Sequence, residues 1–249
     1  MFVVLILGLN FNNISTRSVS ANTSQNENND EMIMFDLFKK NYFSCEDELL
    51  KNTSLLHKGY IRCFQSRMDK PVEVAIIGDS HAEALFAGLA ENLKERNVVY
   101  YTRGGLPYLS NYRFSKIFNR VLNDENIKTV IFSAFWAYPL NGDELIHEKE
   151  VPRILKKFAL TGKKIILLED VPGFSVFPSD CTRQNICSDT VPATHYTKFE
   201  YIPIFKKYAS LYPNVYFVSV RDYFCDSLKC YLSKNDKLLF RDRNHLNIE

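Results

Sequence analysis

Nowhere in these 249 residues is there an apolar run of the roughly 20 residues that a bilayer-spanning helix needs. Glycine and proline are scarce, nine of each, which excludes a collagen-like repeat. Charge of one sign is not in excess. Lys and Arg number 31 against 29 Asp and Glu, a net of +2, so no global field points to nucleic acid or to a cationic partner. No C-x-x-C spacing occurs, which removes a zinc ribbon or a thioredoxin motif. Internal repeats and coiled-coil composition are also missing. With 46% hydrophobic and 24% charged residues, most of the chain has the make-up of an ordinary globular protein of one or two domains.

What is present begins with an apolar stretch from Met1 to Leu9. It resembles the hydrophobic region of a signal peptide without its basic start, or the end of a longer transmembrane helix. Both readings place the remainder of the chain on the non-cytoplasmic side, membrane-associated or secreted. Residues 10–31 are rich in Asn, Ser and Glu and read as a linker that cannot bury enough surface to fold. Sequons at Asn13, Asn22 and Asn52 fit a secretory route and a glycoprotein. The six cysteines, Cys45, Cys63, Cys181, Cys187, Cys225 and Cys230, fall into three near-neighbour pairs. Short disulfides formed in an oxidising compartment are the economical reading, with buried free thiols as the alternative.

From residue 72 onward, apolar runs alternate with amphipathic segments. Strands are expected at 72–77, 98–102, 129–134, 165–168 and 215–220. Helices are expected at 81–95, 113–124, 152–160 with Pro152 in the first turn, and 195–211, entered or broken at Pro203. Residues 171–192 read as loop, and 230–232 with 238–240 as a small hairpin. The pattern implies an α/β fold, a doubly wound, flavodoxin-like, five-stranded parallel sheet in a three-layer α/β/α arrangement. It would occupy residues 70–249, with 32–69 as an N-terminal extension packed on it.

In such a sheet, ligands bind beyond the carboxyl ends of the strands. The first strand ends in Gly78-Asp79-Ser80-His81. A serine hydroxyl where strand meets helix is well placed as a nucleophile, with helix N–H groups facing an anionic centre. Serine is also a good helix cap, so both roles are open at this point. The second strand is followed by Gly104-Gly105-Leu106-Pro107, where a glycine N–H can donate to an oxyanion. Near the end stands Asp242-Arg243-Asn244-His245. Three residues apart on one turn, Asp242 and His245 could share a hydrogen bond that fixes the imidazole tautomer, leaving His245 to take the Ser80 proton. His81 diverges from its neighbour Ser80 and reads as site-lining. His57, His147 and His195 show no partner pattern and read as surface or core residues.

Taken in order, these blocks resemble the SGNH hydrolase superfamily, and more closely the SGNH domain associated with acyltransferase-3 membrane proteins. That subgroup reads GDSH first, a glycine followed by a proline second, an aromatic segment with Trp at the third strand end, and D-x-x-H-L last. Here the third and last are Phe132 to Tyr138, containing Trp136, and Asp242 to Leu246. The resemblance implies Ser80 as nucleophile and oxyanion donor, Gly105 as second donor with Gly104 adjacent, His245 as base and Asp242 as its orienting partner. The wider superfamily has an Asn as a further donor where this chain has Trp136, whose indole could instead shape a pocket alongside His81.

The expected function is therefore an extracytoplasmic acyltransferase or esterase, transferring an acyl group through Ser80 to a hydroxyl acceptor such as a glycan, or to water. No metal or organic cofactor is required. In the related fusions a multi-pass membrane domain delivers the acyl group, so the donor partner would be that domain; no nucleic acid is expected. The alternative is a non-catalytic domain of the same fold that binds glycans or lipids. The chain ends four residues after His245, where a closing helix is expected, so the domain reads as truncated there.

Overall fold

The computed structural model describes residues 27–53, 56–57, 60–137, 145–174, 201–234 and 237–247. In chain order the elements are α1 (Glu27–Asn41), β1 (Phe43–Ser44), α2 (Glu48–Thr53), β2 (Leu56–His57), β3 (Tyr60–Ile61), β4 (Phe64–Gln65), β5 (Val74–Gly78), α3 (Ser80–Asn92), β6 (Val98–Thr102), α4 (Ser115–Asn123), β7 (Thr129–Ser133), α5 (Ile146–Ala159), β8 (Lys164–Leu168), α6 (Tyr201–Ala209), β9 (Val215–Val218), α7 (Arg221–Phe224), β10 (Ser233–Lys234) and β11 (Lys237–Leu238). They divide into two compact units. The larger holds 41–170 and 200–218, and the smaller 1–40, 171–199 and 219–249.

The larger unit is built on a seven-stranded sheet of order β1-β4-β6-β5-β7-β8-β9. Its five parallel strands, β5 to β9, are the apolar runs expected from the sequence. Numbered by themselves they run 2-1-3-4-5, the doubly wound flavodoxin-like order. These strands are mostly buried along their length, as a sheet covered by helices on both faces requires.

The sheet departs from expectation at one edge. β4 pairs antiparallel with β6, and β1 with β4, so there are seven strands rather than five. Residues 32–69 thus contribute to the sheet instead of only packing on it. Strands of two residues carry no readable period, which is why sequence patterning passes over them. The Cys45–Cys63 disulfide ties this edge together, its ends 18 residues apart. A loop of that size adds about 3 kcal/mol by the chain-entropy relation.

Helix α5 also differs, beginning at Ile146 instead of 152 and holding Pro152 in its interior. Its buried face runs from His147 through Val151, Ile154, Leu155 and Phe158. That continuous stripe outweighs the hydrogen bond the proline cannot donate. Pro203, by contrast, is the third described residue of α6.

In the smaller unit, α1 extends back to Glu27, so the last residues of the expected linker are helical. Met34, Phe35 and Phe38 are buried on it, and Lys39 and Lys40 in its last turn suit the negative end of the helix dipole. Phe174, Phe224, Leu232 and Phe240 form a small core with the Cys225–Cys230 disulfide. The hairpin is β10–β11, with Ser233 opposite Leu238 and Lys234 opposite Lys237, inside the span read from sequence. Among the described residues no helix is long and apolar enough to cross a membrane. The leader, the sequons at Asn13 and Asn22, Cys181, Cys187 and His195 lie outside the described residues.

Gly78 has no space for a side chain: a Cβ there would stand 1.6 Å from the Ser133 carbonyl oxygen. Because that oxygen is backbone, it cannot yield without displacing β7. Gly78→Ala is expected to lower stability by roughly 3 kcal/mol or more, read as the shift in urea midpoint against the wild-type chain.

Candidate active site

At Gly78 the chain leaves the sheet and turns at once into α3. Asp79, not Ser80, is the helix cap. Its Oδ1 accepts from the His81 N–H at 2.9 Å, and its Oδ2 accepts from the Phe135 N–H, also at 2.9 Å. One carboxylate thus ends β5, starts α3 and fastens the exit of β7. The capping role open to Ser80 on sequence grounds is filled by its neighbour, and Ser80 occupies the first helical position, at the positive end of the dipole.

The Gly-Gly loop follows β6, the strand beside β5. Gly105 has φ +82°, a conformation that favours glycine. Asn111, which sequence reading passed over, donates from Nδ2 to the carbonyls of Gly104 and Leu106, both at 3.1 Å. With the two carbonyls drawn to Asn111, the loop is held from one side, and no hydrogen bond among the described residues uses the Gly105 N–H.

In the smaller unit, Asp242 and His245 form the pair expected from their spacing. Asp242 Oδ2 lies 2.7 Å from His245 Nδ1, and Oδ1 accepts from the N–H groups of Asn244 at 2.9 Å and His245 at 2.7 Å. The turn is closed by a bridge between Phe240 and Leu246 and by the Arg241 N–H donating to the His245 carbonyl. Burial opposes the charge on Asp242. The His245 hydrogen bond and charge, with the two backbone donors, nevertheless hold its carboxyl far below the usual carboxylate range. An ionised Asp242 on Nδ1 puts the His245 proton there and leaves Nε2 as the basic nitrogen. Ser80 and this pair belong to different units.

The sequence from residue 45 to 249 matches the SGNH domain family, in the form fused to AT3 domains. This chain belongs to that family. The match begins at Cys45, directly after β1, so β4 lies within the SGNH domain, which starts earlier than the boundary at 70 read from sequence. No curated protein matches. Among solved structures, a provisional platelet activating factor from Streptococcus pneumonia is similar, at 16% identity and a TM-score of 0.48, covering 88% of this chain and 91% of that one.

Two residues expected to line a pocket of this SGNH domain are enclosed. Trp136 is 1% exposed and packs edge-on against Phe205, and its indole N–H donates to the Leu168 carbonyl at 2.8 Å. That is a packing position rather than an open pocket wall, because the one polar atom of the ring is already committed. His81 is 6% exposed, with Nδ1 2.6 Å from Asp170 Oδ1 and its ring stacked on Phe135 at 5.2 Å. Asp170 lies 89 residues away in sequence, beyond the reach of any local pattern. Among the described residues no cluster of His, Cys, Asp and Glu could hold a metal ion.

His147 proves to be a core residue with two partners. Its Nδ1 shares a hydrogen bond with the Tyr108 hydroxyl, and the Trp136 backbone beside it favours the charged ring. Burial pushes its pKa down to about 4. The unfolded chain would protonate this residue near the ordinary value of about 6.5, so the folded form loses relative stability as pH falls from there toward 4. The wild type is expected to become less stable between pH 6.5 and 4.5, at up to roughly 1.4 kcal/mol per pH unit from this group. His147→Gln, which does not titrate, should flatten that slope; equal slopes in paired urea titrations would show that His147 is not the source.

Proposed function

We propose that this SGNH domain is an O-acyltransferase or esterase acting through Ser80, His245 and Asp242 on the non-cytoplasmic side of a membrane. The observation that carries the reading is the Asp242–His245 pair, a carboxylate held ionised against Nδ1 of an imidazole, in a chain whose Gly-Asp-Ser-His block puts a serine at a helix start.

In the first step His245 Nε2 takes the Ser80 hydroxyl proton as Oγ attacks the acyl carbonyl carbon. The carbonyl oxygen becomes an oxyanion that accepts from the N–H groups of Ser80 and Gly105. Collapse breaks the bond to the leaving group, which receives the proton from the His245 imidazolium. An acceptor hydroxyl, of a glycan or other alcohol, or water then attacks the Ser80 ester with His245 again as base. The two disulfides favour an oxidising compartment. The family's fusion to AT3 domains supports a membrane-borne partner as source of the acyl group.

The second reading, a binding domain that keeps the fold without turnover, is favoured by one observation: the indole N–H of Trp136 is spent on Leu168 and cannot replace an oxyanion donor. A fluorophosphonate probe separates the two. The catalytic reading expects labelling of the wild type at Ser80, none in Ser80→Ala, and a loss of about 10³ to 10⁴ in kcat for Asp242→Asn on an aryl ester. An unlabelled wild type, or labelling that survives Ser80→Ala, would assign the domain to binding.

A further inference from the structure

Ser80 is followed by a second imidazole–carboxylate pair that the triad does not use. His81 stands at the second position of α3, and its Nδ1 meets Asp170 just past the end of β8. In the sheet β7 separates β5 from β8, so this bond crosses above an intervening strand. Phe135, on the segment leaving β7, fills the space beneath the imidazole by stacking on it. Asp170 is itself held. Its N–H donates to the Tyr201 hydroxyl at 3.3 Å, and the preceding Glu169 N–H donates to the Val218 carbonyl at 2.8 Å. Both side chains are nearly enclosed, at 4% and 3% exposure.

Burying a carboxylate costs free energy that a well-packed apolar pair would avoid. A polar pair at this place gives directional restraint in return. We propose that His81 and Asp170 are positioning residues for Ser80, resting on the catalytic reading above. Asp79 fixes the first turn of α3 to the exits of β5 and β7, and the His81–Asp170 bond fixes it to the exit of β8. Ser80, between Asp79 and His81, is therefore restrained from both sides in sequence and across three strand ends in space. A displacement of about 1 Å at a reacting group can cost about 100-fold in rate, so this restraint is expected to act on the chemical step rather than on substrate affinity. Because Asp170 accepts, Nδ1 carries the proton. Asparagine places an amide N–H near the position of Nδ1, whereas glutamine places one nearer Nε2.

The test uses the full chain with an aryl ester, recording kcat, KM and the rate of fluorophosphonate labelling, with melting curves to show that each variant is folded. His81→Ala and Asp170→Ala are expected to lower kcat and labelling rate about 100-fold while KM stays nearly constant. The double variant should be no slower than the slower single, since both remove one restraint. His81→Asn should recover most of the activity and His81→Gln should not. If the alanine variants do not fold, His81→Asn against His81→Gln decides the matter. Wild-type kcat in folded single variants, losses that multiply in the double, or equal behaviour of the Asn and Gln variants would overturn the proposal while leaving the catalytic reading standing. Ser80→Ala turning over like the wild type would overturn both.

Discussion

The approach of Gly78 to the Ser133 carbonyl governs this molecule's candidate site. β5 is central, hydrogen-bonded on both sides to β6 and β7, and at its last residue the register pairs Gly78 with Thr102 and Ser133. With no room for a Cβ, only glycine ends the strand there. The chain then turns directly into α3, and Asp79 gives up both carboxylate oxygens to hold the turn. In the Gly-Asp-Ser-His block, glycine and aspartate are structural necessities that deliver serine to the first helical position. On the catalytic reading, chemistry would be asked of the third residue alone, because the first two are occupied with building the corner.

A related economy explains why the SGNH match begins at Cys45 rather than at the first parallel strand. Glu83 lies on α3 with its side chain wholly buried, and a buried carboxylate needs a counter-charge. Arg62 supplies it through a two-pronged contact from the segment next to Cys63. That segment is closed by the Cys45–Cys63 disulfide and paired into the sheet edge through β4. Removing the extension would leave Glu83 in the core without this counter-charge, so the helix that carries Ser80 depends on residues that precede the parallel sheet. Lys163 is treated likewise at the far side: burial presses its pKa down, and its ammonium donates to the carbonyls of Asp124 and Ile127 just beyond the end of α4.

The parts of this structure legible in the sequence are those with a local signature. Five buried strands read as apolar runs, and the Asp242–His245 bond reads from a spacing of three on one turn. The parts that were not legible are non-local or too short to carry a period. β1 and β4 have two residues each. His81 finds Asp170 across 89 residues, Arg62 finds Glu83 across 21, and Asn111 reaches back to a loop whose own sequence mentions only glycine and proline. Pro152 misleads for another reason. Its preference for a first turn is a weak local signal, and the buried stripe of α5 continues past it toward the amino end.

On the catalytic reading, the Trp136 position bears on what such a site can select. Where the wider superfamily has an asparagine donor, this chain spends an indole N–H on the Leu168 carbonyl and packs the ring beside Phe205. A missing oxyanion donor typically costs about 10²- to 10³-fold in rate. Yet formation and breakdown of the Ser80 ester pass through tetrahedral centres whose oxyanions occupy the same place, so a weakened hole slows both steps together. It cannot by itself favour an acceptor alcohol over water. That preference has to come from how the acceptor is oriented and how well water is excluded while it is bound, which belong to the residues around Ser80 and not to the oxyanion donors.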